Sequence, residues 1–180
     1  MSDGAVLVSA PRGMSKSTIE SFLYSKNNWI KKNVAKQRAM MSEYDGIAEN
    51  EVLLFGEIIT LPEKYIGKRV SFYRAQSVYL ARRIAEIAEK YCYTYTGLRF
   101  SRARTRWGSC NGNNGITLNL ALLTVPERLS DYVIVHELCH TVQHDHSAAF
   151  WKRVERVLPD YAVLRKELKK YTYTLKFLNE

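Results

Sequence analysis

The chain has no run of eighteen apolar residues, which excludes a transmembrane helix. Its first residues, MSDGAVLVSAPRG, lack a basic stretch followed by an apolar segment of about 7–15 residues, so they do not read as a secretory signal. Cysteine is scarce. Cys92, Cys110 and Cys139 are an odd number without C-x-x-C spacing, which argues against a disulfide framework and against a thiolate zinc cluster. A reducing cytoplasm is the expected location. No repeat, low-complexity tract or Pro/Gly/Ser linker interrupts the 180 residues, so a single domain spanning 1–180 is expected. With 46% hydrophobic and 25% charged residues, disorder is not the default reading.

The charge is unevenly placed. Residues 61–110 hold eleven Lys and Arg against three Asp and Glu, which is +8 of the chain's +9. Such a segment favours anionic partners, a nucleotide or nucleic acid among them, although a solvated basic helix face explains it equally well. No recognised RNA- or DNA-binding motif accompanies it.

The element pattern predicts an α+β fold. Residues 5–10 read as a short strand. Ser17 and Glu20 form a capping-box pattern opening a helix to near Met40. VLLFGEIITLP predicts two short strands around Gly56, and Ser77 is placed to cap a helix whose apolar side carries Val78, Ala81, Ile84, Ala85 and Ala88. LRFSRARTR (98–106) reads as a strand presenting Arg102, Arg104 and Arg106 on one face, followed by an Asn111–Gly115 turn and a second strand, ITLNLALL (116–123). A buried helix capped by Ser130 or Asp131 should run to about Gln143 or His144. Another should open at Ser147 and stop at Pro159, and a last one at Asp160.

All four histidines lie between residues 136 and 146, and the first two enclose the pattern H-E-x-x-H, His136-Glu137-Leu138-Cys139-His140. Residues four apart share a helix face about 6 Å apart along the axis, so both imidazoles reach one ion. Zinc suits imidazole donors and stays catalytic when three protein ligands leave one position to water. Glu137 is then placed to act as the base on that water. His144 would lie about 12 Å along the axis from His136, too far to converge with it, so His146 is the preferred third ligand once the helix ends. One Zn2+ per chain is expected, although imidazole also suits Ni, Cu and Fe. Cys139 falls off the His136/His140 face, which weakens a purely structural zinc site. The ligand spacing equals that of metzincins, but Gln143 replaces their glycine and no methionine follows Met41, so that assignment fails.

Four blocks in order, RTRWGSC (104–110), ITLNLALL (116–123), DYVIVHELCH (131–140) and HSAAFW (146–151), resemble the YgjP-like metallopeptidase family, which is similar to the SprT-like zinc peptidases. The resemblance spans about residues 5–170. It implies a minimal zincin-like fold, a small and mainly antiparallel sheet packed on the helix that carries HExxH, with His136, His140 and His146 as ligands and Glu137 as the catalytic residue. Against the family's pattern, Asp145 stands where Asn is more usual, and the chain begins inside the N-terminal strands, implying a shortened first sheet. The implied activity is a zinc-dependent peptidase acting on a peptide or protein. The alternatives are hydrolysis of a nucleotide phosphoanhydride, served by the basic segment, or a nucleic-acid-associated module with a zinc site. Trp107 is expected to pack on the active-site helix with Gly108 allowing a bend, and Cys110 to be a buried thiol. Asn119 and Arg106 are candidates for stabilising negative charge in the cleft. The oligomeric state is left open.

Overall fold

The computed structural model describes residue 6 and residues 8–42 and 46–178. The chain divides into two compact units, Met1–Gly46 and Ile47–Glu180. Ala5 and Leu7 of the expected first strand lie outside the described residues, and residues 6 and 8–10 carry no strand.

In the first unit the expected long helix is two, α1 (Lys16–Ser25) and α2 (Asn27–Ser42). Ser15, not Ser17, caps α1, its hydroxyl accepting from the Thr18 amide at 3.1 Å. The break follows from Ser25, whose hydroxyl donates to the Phe22 carbonyl at 2.7 Å, while the Lys26 amide is shared between Phe22 and Leu23. A side chain competing for helix carbonyls tightens and ends the turn.

The second unit opens with the hairpin β1 (Glu51–Leu54) and β2 (Glu57–Thr60), antiparallel and joined by Phe55 and Gly56 at φ 52° and 89°. Two positive φ angles give the turn a twist that matches the strands. Phe55 accepts this conformation because its amide donates to the Leu123 carbonyl at 2.7 Å and its ring lies 4.6 Å from Tyr79.

Helix α3 (Arg69–Lys90) starts well before Ser77, which sits inside it with its hydroxyl donating to the Arg74 carbonyl. The earlier start resets the apolar face to Phe72, Tyr73, Leu80, Ile84, Ile87 and Ala88, and leaves Val78 71% exposed. The Tyr73 hydroxyl donates to the Leu53 carbonyl at 2.6 Å and ties α3 to the hairpin.

The second sheet has the order β3 (Gly97–Ser101), β5 (Gly115–Asn119), β4 (Gly108–Cys110). β4 and β5 are antiparallel around the Asn111–Gly115 turn, as expected, and β3 is parallel to β5. The first strand ends at Ser101, so Arg102, Arg104 and Arg106 belong to a loop and not to a strand face. The second ends at Asn119 rather than Leu123. One buried side chain accounts for both corrections. Asn119 Nδ2 donates to the carbonyls of Ala103 at 2.7 Å and Arg106 at 2.9 Å, replacing ladder partners. Its Oδ1 accepts from the Ala121 amide and caps the 3₁₀ turn Leu120–Thr124.

Helix α4 (Glu127–His140) follows Pro126 and is the centre of the core. Ser130 and Asp131 do not cap it. The Ser130 hydroxyl donates to the Leu122 carbonyl at 2.6 Å, and Asp131 takes a bidentate pair from Arg83 on α3 at 2.7 and 2.8 Å. Then come α5 (Ala148–Val157), opened at Ser147 as expected, α6 (Tyr161–Leu168), and the short α7 (Thr174–Phe177). Helices beside an antiparallel hairpin and a small mixed sheet give the α+β class that was expected. Among the described residues no helix is long and apolar enough to cross a membrane.

Replacing Asn119 by Ala strands two carbonyls and one amide in a site that is 1% exposed. The expected loss is about 2–4 kcal/mol in urea unfolding, since each buried unpaired group costs roughly 1–3 kcal/mol. A change below about 0.5 kcal/mol would remove Asn119 from this account.

Candidate metal centre

The last turn of α4 carries His136 and His140, and α4 ends at His140 with Thr141 as its cap, earlier than Gln143. The chain turns through 141–145 and delivers His146 just before α5. The three Nε2 atoms form a near-regular triangle, with His136 to His140 at 3.2 Å, His140 to His146 at 3.2 Å, and His136 to His146 at 3.1 Å. Four-coordinate zinc with nitrogen arms of about 2.0–2.1 Å spaces its donors roughly 3.3 Å apart, so the triangle fits one such ion. His144 is exposed and outside the cluster.

Hydrogen bonding and packing fix the rings. A carbonyl can only accept, so His140 Nδ1 donates to the Gln143 carbonyl at 3.0 Å, and the neutral ring then turns its lone pair at Nε2 towards the triangle. His136 Nδ1 is buried with no hydrogen-bond partner. Its ring is held instead by contacts, with Phe150 at 4.8 Å and Tyr132 at 6.0 Å. Phe150 is fully buried and also meets His140 at 4.3 Å, stacked, and His146 at 4.9 Å. One benzyl ring therefore floors the whole triad.

Burial first, and then the neighbouring histidines, push the His136 pKa down to about 3, and burial lowers that of His140. Both rings are neutral at physiological pH, the form that binds a metal. Three ring nitrogens gathered this closely make a donor set that one metal ion can join.

Glu137 is 5% exposed, and burial pushes its carboxyl up to about 8. A buried carboxylate is costly unless a cation compensates it. Its place depends on β4. A methyl group at Gly108 would stand 2.7 Å from Glu137 Oε1 and 2.8 Å from its Cγ, so only glycine lets the strand approach this closely. That is a larger role for Gly108 than a bend. Trp107 packs against the core cluster, and with Gly108 it lines a pocket shared with Tyr132, Val133, His136 and Glu137 of α4. The Cys110 thiol is raised by burial and then by the Glu137 charge, which keeps it protonated. Asn119 is committed to the backbone and does not serve the cleft.

Sequence reasoning missed Phe150, Gln143 and Asp145. Asp145 Oδ1 accepts from the Ser147 amide at 3.0 Å and from Gln143 Nε2 at 2.9 Å, which clamps the turn carrying His146. The signal was the HDHS string itself, since Asx side chains close such turns.

A model of the YgjP-like metallopeptidase domain matches residues 1–64 and 60–171. The chain belongs to that family. Among solved structures, the metallopeptidase zymogen of Pyrococcus abyssi abylysin is similar at 22% identity and a TM-score of 0.44, covering 49% of this chain and 90% of that one. No curated protein matches the sequence. A metallopeptidase-type, metal-dependent hydrolase is what the family establishes, and three histidines placed to hold a metal agree with it.

Two outcomes are expected. Asp145→Ala should weaken metal binding about 10–100-fold in a competition titration, while Asp145→Asn, which keeps the acceptor, restores it; equal affinities for all three would remove the clamp. In metal-free protein, Glu137 binds its proton more tightly folded than unfolded. Its contribution to stability should therefore fall as pH rises from about 4.3 to about 8, by several kcal/mol, and Glu137→Gln should lose that slope in denaturant melts. Parallel curves for the two proteins would contradict the burial.

Proposed function

We propose that the protein is a zinc peptidase in which His136, His140 and His146 hold one Zn2+ and Glu137 is the general base, on a minimal zincin-like domain. The observation that carries this reading is the triangle of Nε2 atoms beside a buried carboxyl. When bound, zinc supplies Lewis acidity towards a carbonyl oxygen and makes water acidic at neutral pH.

The chain's own residues do the rest. Burial makes Glu137 a strong proton acceptor, and a cation held by the three histidines would favour its ionised form. Its carboxylate takes the proton of the attacking water and hands it to the departing amine nitrogen. Gly108 holds that carboxylate in place by leaving room for it. Phe150 and the Gln143 carbonyl keep the imidazoles aimed, so little reorganisation is needed when substrate arrives. The family favours a peptide or protein substrate over a phosphoanhydride.

Zinc-loaded protein should cleave an unstructured protein such as casein. Glu137→Gln should lower the rate at least about 10³-fold while retaining about one zinc per chain, and chelation followed by zinc should abolish and restore cleavage. Cleavage that survives Glu137→Gln would reject the mechanism. Phosphate release from a nucleoside triphosphate, lost in the same variant, would move the reading to the phosphoanhydride.

A further inference from the structure

A pocket of about 190 Å³ opens beside the metal centre. Its inner edge is formed by His136 and Glu137, and its walls by Trp107, Tyr132, Val133 and Leu168. His140 and His146 do not line it, so it lies to one side of the triad. Tyr132, Val133 and Leu168 are buried and fixed by α4 and α6, while Trp107 is half-buried at the start of β4. Mostly carbon faces the space, and no Lys or Arg lines it. Arg165, whose charge reaches His136 and Tyr132, is stacked 4.8 Å from the centre of the Trp151 ring.

We infer that this pocket takes one apolar side chain, of leucine to phenylalanine size, from the substrate residue on one side of the scissile bond; the inference rests on the peptidase reading. Size sets what fits. An apolar cavity of about 150 Å³ accepts benzene, so about 190 Å³ holds a phenyl or isobutyl group. Chemistry sets the class. A charged or amide side chain would give up part of its water here and meet mostly carbon. A phosphate would find no cation on these walls. Position sets the asymmetry. Because the pocket touches Glu137 and His136 only, it reads a single flanking residue, and the residue across the bond is left unconstrained by it.

The test uses fluorogenic peptides carrying Gly, Ala, Leu, Phe, Trp, Asp or Lys at each position flanking the cleaved bond. With zinc-loaded protein, Leu and Phe should exceed Gly, Asp and Lys at least about tenfold in kcat/KM at one flanking position only, since filling an apolar pocket is worth roughly 10–200-fold. The same peptides titrated calorimetrically into zinc-loaded Glu137→Gln should show the same order in affinity, a readout that needs no turnover. Leu168→Ala, or Trp107→Leu if the first does not fold, should widen the pocket and shift the optimum towards Trp. A flat or charged preference at both positions, in cleavage and in binding, overturns the inference even if peptides are cleaved. If nothing is cleaved but Leu and Phe peptides still bind at least about tenfold tighter than Gly, the pocket stands and the peptidase reading falls.

Discussion

Three imidazole nitrogens held 3.1–3.2 Å apart are the constraint on which the rest of the second unit depends. Burial of α4 and the Phe150 ring hold His136 and His140 in place, and the turn clamped by Asp145 brings His146 to them. The same burial withholds water from Glu137. A helix that would be an ordinary core element if residues 136, 137 and 140 were apolar thus carries two imidazoles and a buried carboxyl at one place, a costly arrangement that a bound cation would offset.

The surrounding elements serve that geometry. Arg83 clamps Asp131 and fixes α4 against α3, so the helix cannot rotate its histidines away. The Asn119 side chain bends the chain between β3 and β4 and so brings Trp107 and Gly108 up to Glu137. The close approach of strand and carboxylate is tolerated only because residue 108 has no side chain. Three of the eleven basic residues of the strongly basic segment have structural partners: Arg69 donates to backbone carbonyls of the hairpin region, Arg102 to that of Leu178, and Arg83 to Asp131.

The gathering of the three histidines was legible in the sequence because it is local. His136, Glu137 and His140 are set by helix periodicity alone, and His146 follows once distance along the axis excludes His144. The hairpin at Gly56 and the Asn111–Gly115 turn were legible for the same reason, since each depends on residues that favour positive φ or close a loop on themselves. Apart from the first helix, which Ser15 and Ser25 start and end by local contacts, what failed was decided at long range. The Ser77 cap and the Val78 face were wrong because Phe72 and Tyr73, packed on the hairpin, start the helix earlier. The strands through Arg106 and to Leu123 were cut short by one amide 13 to 16 residues away from its partners. Phe150 under the triad and Gly108 against Glu137 are contacts between elements, and no periodicity announces them.

The central claim is most directly tested by anomalous scattering at the zinc edge from crystals grown with one equivalent of zinc. A single peak about 2.0–2.1 Å from the Nε2 atoms of His136, His140 and His146 is the predicted result. Zinc bound elsewhere, with the three rings turned away from one another, would contradict it.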